Sequence, residues 1–108
     1  FCRTVDPYQV DETIEALKQA LEFCRTRGPA VVVARRSCLL ERGPEAKAER
    51  IRIPVIVSDV CDGCGYCIKH FECPALVISG NRVSIDPAVC TQCGVCLNVC
   101  PKNCICPA

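Results

Sequence analysis

Eight of the thirteen cysteines in this 108-residue chain fall in two short runs whose spacing suits metal chemistry. The first is Cys61-x2-Cys64-x2-Cys67, followed by Cys73-Pro74. The second is Cys90-x2-Cys93-x2-Cys96, followed by Cys100-Pro101. Thiolates are soft ligands and select zinc, copper(I) or iron–sulfur clusters over hard cations. Two-residue gaps, in a loop containing Gly94, let three sulfurs wrap one corner of a cubic cluster. Structural zinc usually takes two separated Cys pairs, four ligands to one ion. A triplet plus Cys-Pro in each half is more than zinc needs, so iron–sulfur chemistry is the reading we adopt.

The two runs are copies of one unit. Val60-Cys61-Asp62-Gly63-Cys64-Gly65-Tyr66-Cys67 and Val89-Cys90-Thr91-Gln92-Cys93-Gly94-Val95-Cys96 share Val-Cys-x-x-Cys-Gly-x-Cys at an offset of 29 residues. The second run resembles the ligand run of bacterial two-cluster [4Fe–4S] ferredoxins, in which the fourth Cys ligates the other cluster. By that crossed rule, cluster one takes Cys61, Cys64, Cys67 and Cys100, and cluster two takes Cys90, Cys93, Cys96 and Cys73. The first run departs from the pattern: Cys67 and Cys73 enclose five residues, where Cys96 and Cys100 enclose three. A bulge or an added helical turn absorbs two residues without loss of the ligand, and we prefer that to a cluster of altered potential. His70 lies inside the gap. With the thiolate set complete, it reads as a surface histidine rather than a ligand or proton-coupled group.

Composition narrows the classes further. A disulfide scaffold is the usual reason for many cysteines in a short chain, but the count is odd, no signal peptide opens the sequence, and the runs are too tight. Cys2, Cys24, Cys38, Cys104 and Cys106 remain outside the runs; free cysteine behaves as a small hydrophobe, so packing is their default role. Cys104, just past the last ligand, is placed to cover a cluster. No apolar stretch reaches the ~20 residues that cross a bilayer. A net charge of +1 and few aromatic residues give no reason to propose nucleic acid. Residues 1–54 hold ten Lys/Arg against eight Asp/Glu, and residues 55–108 hold three against four. A four-thiolate cluster adds about −2 by valence counting, so two of them make the second half distinctly acidic. The chain begins with Phe1 and contains no Met, as expected of a fragment or a processed chain.

The elements that must position these residues read as α+β. Val10, Ile14, Leu17 and Leu21 mark one helical face, with Asp11, or Asp6-Pro7, as its start and Gly28-Pro29 as its stop. Ala30-Val31-Val32-Val33-Ala34 is a β-branched run suited to a strand covered on both faces. One helix and one such strand need a sheet supplied by further sequence or by a partner. Residues 41–53 read as a solvated linker of alternating charge. Ile53–Val57 reads as a strand, and Val77–Ser79 and Arg82–Ile85 flank a two-residue Gly80-Asn81 hairpin turn.

Taken together, Val5-Asp6-Pro7-Tyr8, the helix Glu12–Lys18 and the segment Gly28–Cys38, followed by a dicluster ferredoxin, resemble the large subunit of the indolepyruvate ferredoxin oxidoreductase family. The resemblance implies three parts: residues 1–40 as the α/β end of a thiamine-diphosphate-binding domain, 41–53 as linker, and 54–108 as a 2×[4Fe–4S] ferredoxin domain. It implies a cytoplasmic, anaerobic oxidoreductase that decarboxylates an aryl 2-oxoacid on thiamine diphosphate and releases an acyl-CoA. Electrons pass through the clusters to an external ferredoxin. Thiamine diphosphate and Mg would sit elsewhere, in missing sequence or in a partner, because no Gly-Asp-Gly motif of that type occurs here. The implied partners are a catalytic thiamine-diphosphate chain or domain and a small gamma/beta-type subunit, with no nucleic acid and no membrane. The alternative is a stand-alone ferredoxin-like carrier or the iron–sulfur subunit of another redox complex.

Overall fold

The computed structural model describes residues 1–41 and 52–108. The chain divides into two compact units, Phe1–Lys47 and Ala48–Ala108. Most of the linker expected at 41–53 lies outside the described residues.

The first unit is a parallel β-α-β arrangement. Strand β1 (Cys2–Val5), helix α1 (Val10–Thr26) and strand β2 (Val31–Ala34) follow in order, and β1 pairs with β2 in parallel, Cys2 opposite Val31 and Val5 opposite Ala34. Strand β2 and the helix were legible in the sequence. Strand β1 was not, because Cys-Arg-Thr-Val carries no continuous apolar signal. It supplies from within the chain the neighbour strand expected from outside. Asp6 ends β1: its backbone oxygen accepts from the amide of Gln9 and its Oδ1 from the amide of Tyr8. Its Oδ2 accepts from Arg36 at 3.0 Å, tying the exits of the two strands together. Asp11 is not the N-cap. Gln9 occupies that position without a side-chain bond, and Asp11 and Glu12 instead place negative charge in the first turn, where the helix dipole favours it.

The helix also buries a different face from the one its large apolar residues mark. Ala16 is fully buried and Ala20 nearly so, as is Val5 on β1, whereas Ile14, Leu17 and Leu21 are 44 %, 54 % and 54 % exposed. Small residues let the helix axis approach a two-stranded sheet closely, so alanines take the inner face. On β2, Val31 and Val33 are exposed as well, so the strand is not covered on both faces.

The second unit is built from the repeat. Strand β3 (Val55–Val57), helix α2 (Tyr66–Phe71) and strand β4 (Leu76–Ser79) form one half. Strand β5 (Arg82–Ile85), a 3₁₀ turn (Val95–Asn98) and strand β6 (Ile105–Pro107) form the other. The halves interlock: β3 pairs antiparallel with β6, and β4 with β5. Gly80 has φ +64°, the positive angle that the first central position of a tight hairpin turn requires. Leu76, Val83 and Ile105 form the core together with Cys67 and Cys96. Two of its five members are thus thiols, a small apolar core of the sort that needs a staple.

Candidate metal centre

Each cysteine triplet is held in its loop by left-handed residues at matching positions. Gly63 and Gln92 have φ +68° and +57°, and Gly65 and Gly94 have φ +70° and +74°. The offset of 29 residues is therefore a repeat of backbone shape as well as of letters. Gly65 is the N-cap of α2 and Gly94 that of the 3₁₀ turn, so the third cysteine of each triplet, Cys67 or Cys96, lies in the first helical turn and points into the core. The first loop is pinned by the hairpin tip: a Cβ on Gly63 would come within 2.2 Å of the Asn81 backbone oxygen. The second is pinned by Ile53, whose amide donates to the Gln92 oxygen at 2.8 Å and whose side chain lies against Gly94.

The irregular gap has a simple cause. Helix α2 runs for six residues and ends at Glu72 in the left-handed conformation, while its counterpart is a four-residue 3₁₀ turn. The two extra residues lengthen the helix. His70 is on its exposed side, with its ring 4.2 Å from that of Tyr66 one turn earlier.

The eight cysteines line two cavities. One, of about 240 Å³, is walled by Cys73, Cys90, Cys93 and Cys96, with Leu76, Ile85 and Phe71 among its apolar lining. The other is a tighter space lined by Cys61, Cys64, Cys67, Cys100 and Cys104, with Tyr66 and Lys102 at its edge. Cys73 is thus grouped with the second triplet and Cys100 with the first. Among the described residues, no three His, Cys, Asp or Glu are drawn round a point where one metal ion would sit. Four of the thiols line one cavity and the other four line the second. Four thiolates are the donor set of a [4Fe–4S] cluster, so the residues fit the group. Cys2, Cys24 and Cys38 are exposed, against the expectation that they pack in a core; Cys104 is buried and Cys106 partly so.

Electrostatics follow the same grouping. Burial pushes Cys96 up to about 11, and the neighbouring Cys93, Cys90 and Cys73 add to the shift. Burial also raises Cys67, with Cys100 and Cys61 as its charged neighbours. For Cys100 burial acts upward, but backbone N–H groups of Cys104, Lys102 and Ile105 outweigh it and leave the thiol below its ordinary value. The Cys104 amide donates to Cys100 Sγ at 3.3 Å, and the Gln92 amide to Cys90 Sγ at 3.4 Å. Such N–H···S bonds favour charge on sulfur and help to set cluster potentials. An ion pair, Lys102 Nζ to Asp62 Oδ2, closes the edge of the first site. That pair was missed in the sequence reading, although Asp62 facing Thr91 in the repeat was a visible asymmetry.

Residues 53–101 match the family model of the 4Fe-4S dicluster domain. The chain is 36 % identical over 108 residues to the indolepyruvate oxidoreductase subunit IorA of Archaeoglobus fulgidus, covering 100 % of this chain and 17 % of that protein. It is 38 % identical over 105 residues to the IorA subunit of Pyrococcus horikoshii, covering 94 % of this chain and 16 % of that one. Along nearly its whole length the chain is thus similar to part of the IorA subunit, and its second half contains a 4Fe-4S dicluster domain. It spans about a sixth of the length of these curated relatives. A ferredoxin-like protein in the nif region of Sinorhizobium fredii is 42 % identical over 60 residues, 46 % of this chain and 91 % of that protein. No solved structure matches. The dicluster domain carries two [4Fe–4S] clusters and serves electron transfer. Among the described residues, no helix is long and apolar enough to cross a membrane.

Proposed function

We propose that the chain is the electron-transfer segment of an indolepyruvate-type 2-oxoacid:ferredoxin oxidoreductase. The observation that carries this is the pair of cavities, each walled by one triplet and by the Cys-Pro cysteine of the other half. Cluster one is held by Cys61, Cys64, Cys67 and Cys100, and cluster two by Cys90, Cys93, Cys96 and Cys73. When bound, each cluster supplies one-electron redox chemistry. The chain's own part is to hold the thiolates in place, donate amides to Cys90 and Cys100, and keep water from the inner sulfurs of Cys67 and Cys96.

Residues 1–40 are the end of a thiamine-diphosphate-binding domain, 41–53 a linker, and 54–108 the ferredoxin domain. The parallel β-α-β order of the first unit supports this. So does the exposed apolar stripe of Ile14, Leu17 and Leu21, which larger neighbouring structure would cover. Thiamine diphosphate and Mg belong to the catalytic chain or domain. A small gamma/beta-type subunit and an external ferredoxin complete the system in the cytoplasm. The Sinorhizobium match, which spans nearly all of a compact protein, favours a second reading in which the cluster unit acts as a free carrier.

The test is anoxic purification of the full-length protein, with iron and sulfide analysis and low-temperature EPR after reduction. About eight iron and eight sulfide per chain are expected, with a thiamine-dependent catalytic chain and a small subunit co-purifying. Zinc in place of iron, or no signal from reduced clusters, sinks the electron-transfer reading. A clean iron-loaded monomer that exchanges electrons with several enzymes sinks the oxidoreductase assignment and leaves the carrier.

A further inference from the structure

The cavity at the first triplet holds one thiol more than a cluster uses. Cys61, Cys64, Cys67 and Cys100 make up the four donors, yet Cys104 lines the same space. It is 3 % exposed. Its amide donates to Cys100 Sγ at 3.3 Å, and its own thiol donates to the oxygen of Lys102, another residue lining this cavity, at 3.7 Å. The local chain explains this closeness. The Asn103 amide donates to the Cys100 oxygen at 3.0 Å, and Asn103 itself has φ +52°. That turn carries the residue four places on back over Cys100. The other cavity has no fifth thiol among its lining residues. Cys106, two residues further on, lines neither cavity and directs its thiol toward the Ile56 oxygen at 4.0 Å. Packing alone does not call for sulfur at position 104, where a small apolar side chain would also fill the space.

We propose that Cys104 is a reserve ligand of the first cluster, able to take over the iron held by Cys100. The inference rests on the ligand partition proposed above. The exchange is a substitution without redox change. The Cys104 thiol releases its proton, its thiolate forms an Fe–S bond, the Fe–S bond to Cys100 breaks, and the Cys100 thiolate takes up a proton. Iron valence is the same before and after, so no oxidant or reductant is required.

The experiment uses the full-length protein, purified without oxygen, as wild type, C100A, C104A and C100A/C104A. Iron, sulfide and low-temperature EPR are measured on each. Wild type, C104A and C100A should all hold about eight iron per chain, and the double variant about four. The C100A spectrum should show an altered first-cluster signal, because the new sulfur approaches from a different position. C100A/C106S should match C100A, and C73A, with no spare thiol nearby, should lose iron. Because Cys100→Ala could impair folding, C100S and C100S/C104A are compared in the same way, and the drop in iron between the members of each pair is the readout. Equal iron loss in C100A and C100A/C104A overturns the proposal, as does equal retention in both. A wild type that lacks eight iron overturns the two-cluster reading on which the proposal rests, which separates the two failures.

Discussion

Gly63 tests the packing of the first cysteine loop more sharply than any other residue, because two other glycines serve as controls. Gly63→Ala faces two penalties. Holding alanine in the left-handed region costs about 1–2 kcal/mol, and Gly63 has φ +68°. The new methyl would also come within 2.2 Å of the Asn81 oxygen and 2.7 Å of its carbonyl carbon, both backbone atoms of the hairpin tip. Relief requires the β4–β5 hairpin to move, and overpacking of this kind adds about 1–3 kcal/mol. Gly65→Ala meets the first penalty only: its φ is +70°, and the nearest atom to its Cβ is 4.0 Å away. Gly94→Ala is intermediate, since the obstacle is the Ile53 side chain at 2.7 Å, and Ile53→Ala should remove it. Anoxic urea unfolding of the full-length protein, followed at the cluster absorbance, should rank the midpoints wild type, G65A, G94A, G63A. With a slope of roughly 1–2 kcal/mol per M urea for a small unit, G63A should fall below G65A by about 1 M. If G63A matched or exceeded G65A, the close approach of loop and hairpin would be refuted.

Three further predictions use the same protein. Leu76→Ala removes a buried core side chain and should destabilise by about 2–5 kcal/mol, while Val77→Ala, its half-exposed neighbour, should cost under about 1 kcal/mol; equal effects in urea unfolding would contradict the assigned face of β4. Ala16→Leu should destabilise the first unit by about 1–3 kcal/mol through overpacking, because Ala16 has no exposed surface, and hydrogen exchange in β1 and β2 should speed up; unchanged protection would show spare room beneath the helix. Chelating the iron should abolish hydrogen-exchange protection in β4 and β5, since Cys67 and Cys96 make up two of the five core residues; retained protection would mean the apolar core suffices alone.

How much of this was legible beforehand depends on the range of the interactions. The triplets, the repeat and the Gly80-Asn81 hairpin are local patterns, and local backbone sterics dictate them wherever they occur. The helical face shows where locality ends. Val10, Ile14, Leu17 and Leu21 have the right period, yet the strands take Ala16 and Ala20, because the distance of closest approach to the sheet is a property of both elements. Strand β1 escaped notice for a similar reason. Its ladder with β2 is made of backbone groups, which every residue carries.

The sequence by itself determined the chemistry: thirteen cysteines, eight of them in two matched runs, admit few metals and one cluster type. The crossed grouping of Cys73 and Cys100 was expected from the resemblance to bacterial ferredoxins; only the tertiary structure decided how the cavities close and that Cys104 lines one of them. The antiparallel pairing of β3 with β6 and of β4 with β5 crosses the two halves, so Cys73 and Cys100 each lie with the other's triplet. The same crossing brings Cys104 in as a fifth thiol. Spacing along a chain limits which ligands can be neighbours, but the closing of a cavity depends on strands far apart in sequence, and on the packing energy that holds them together.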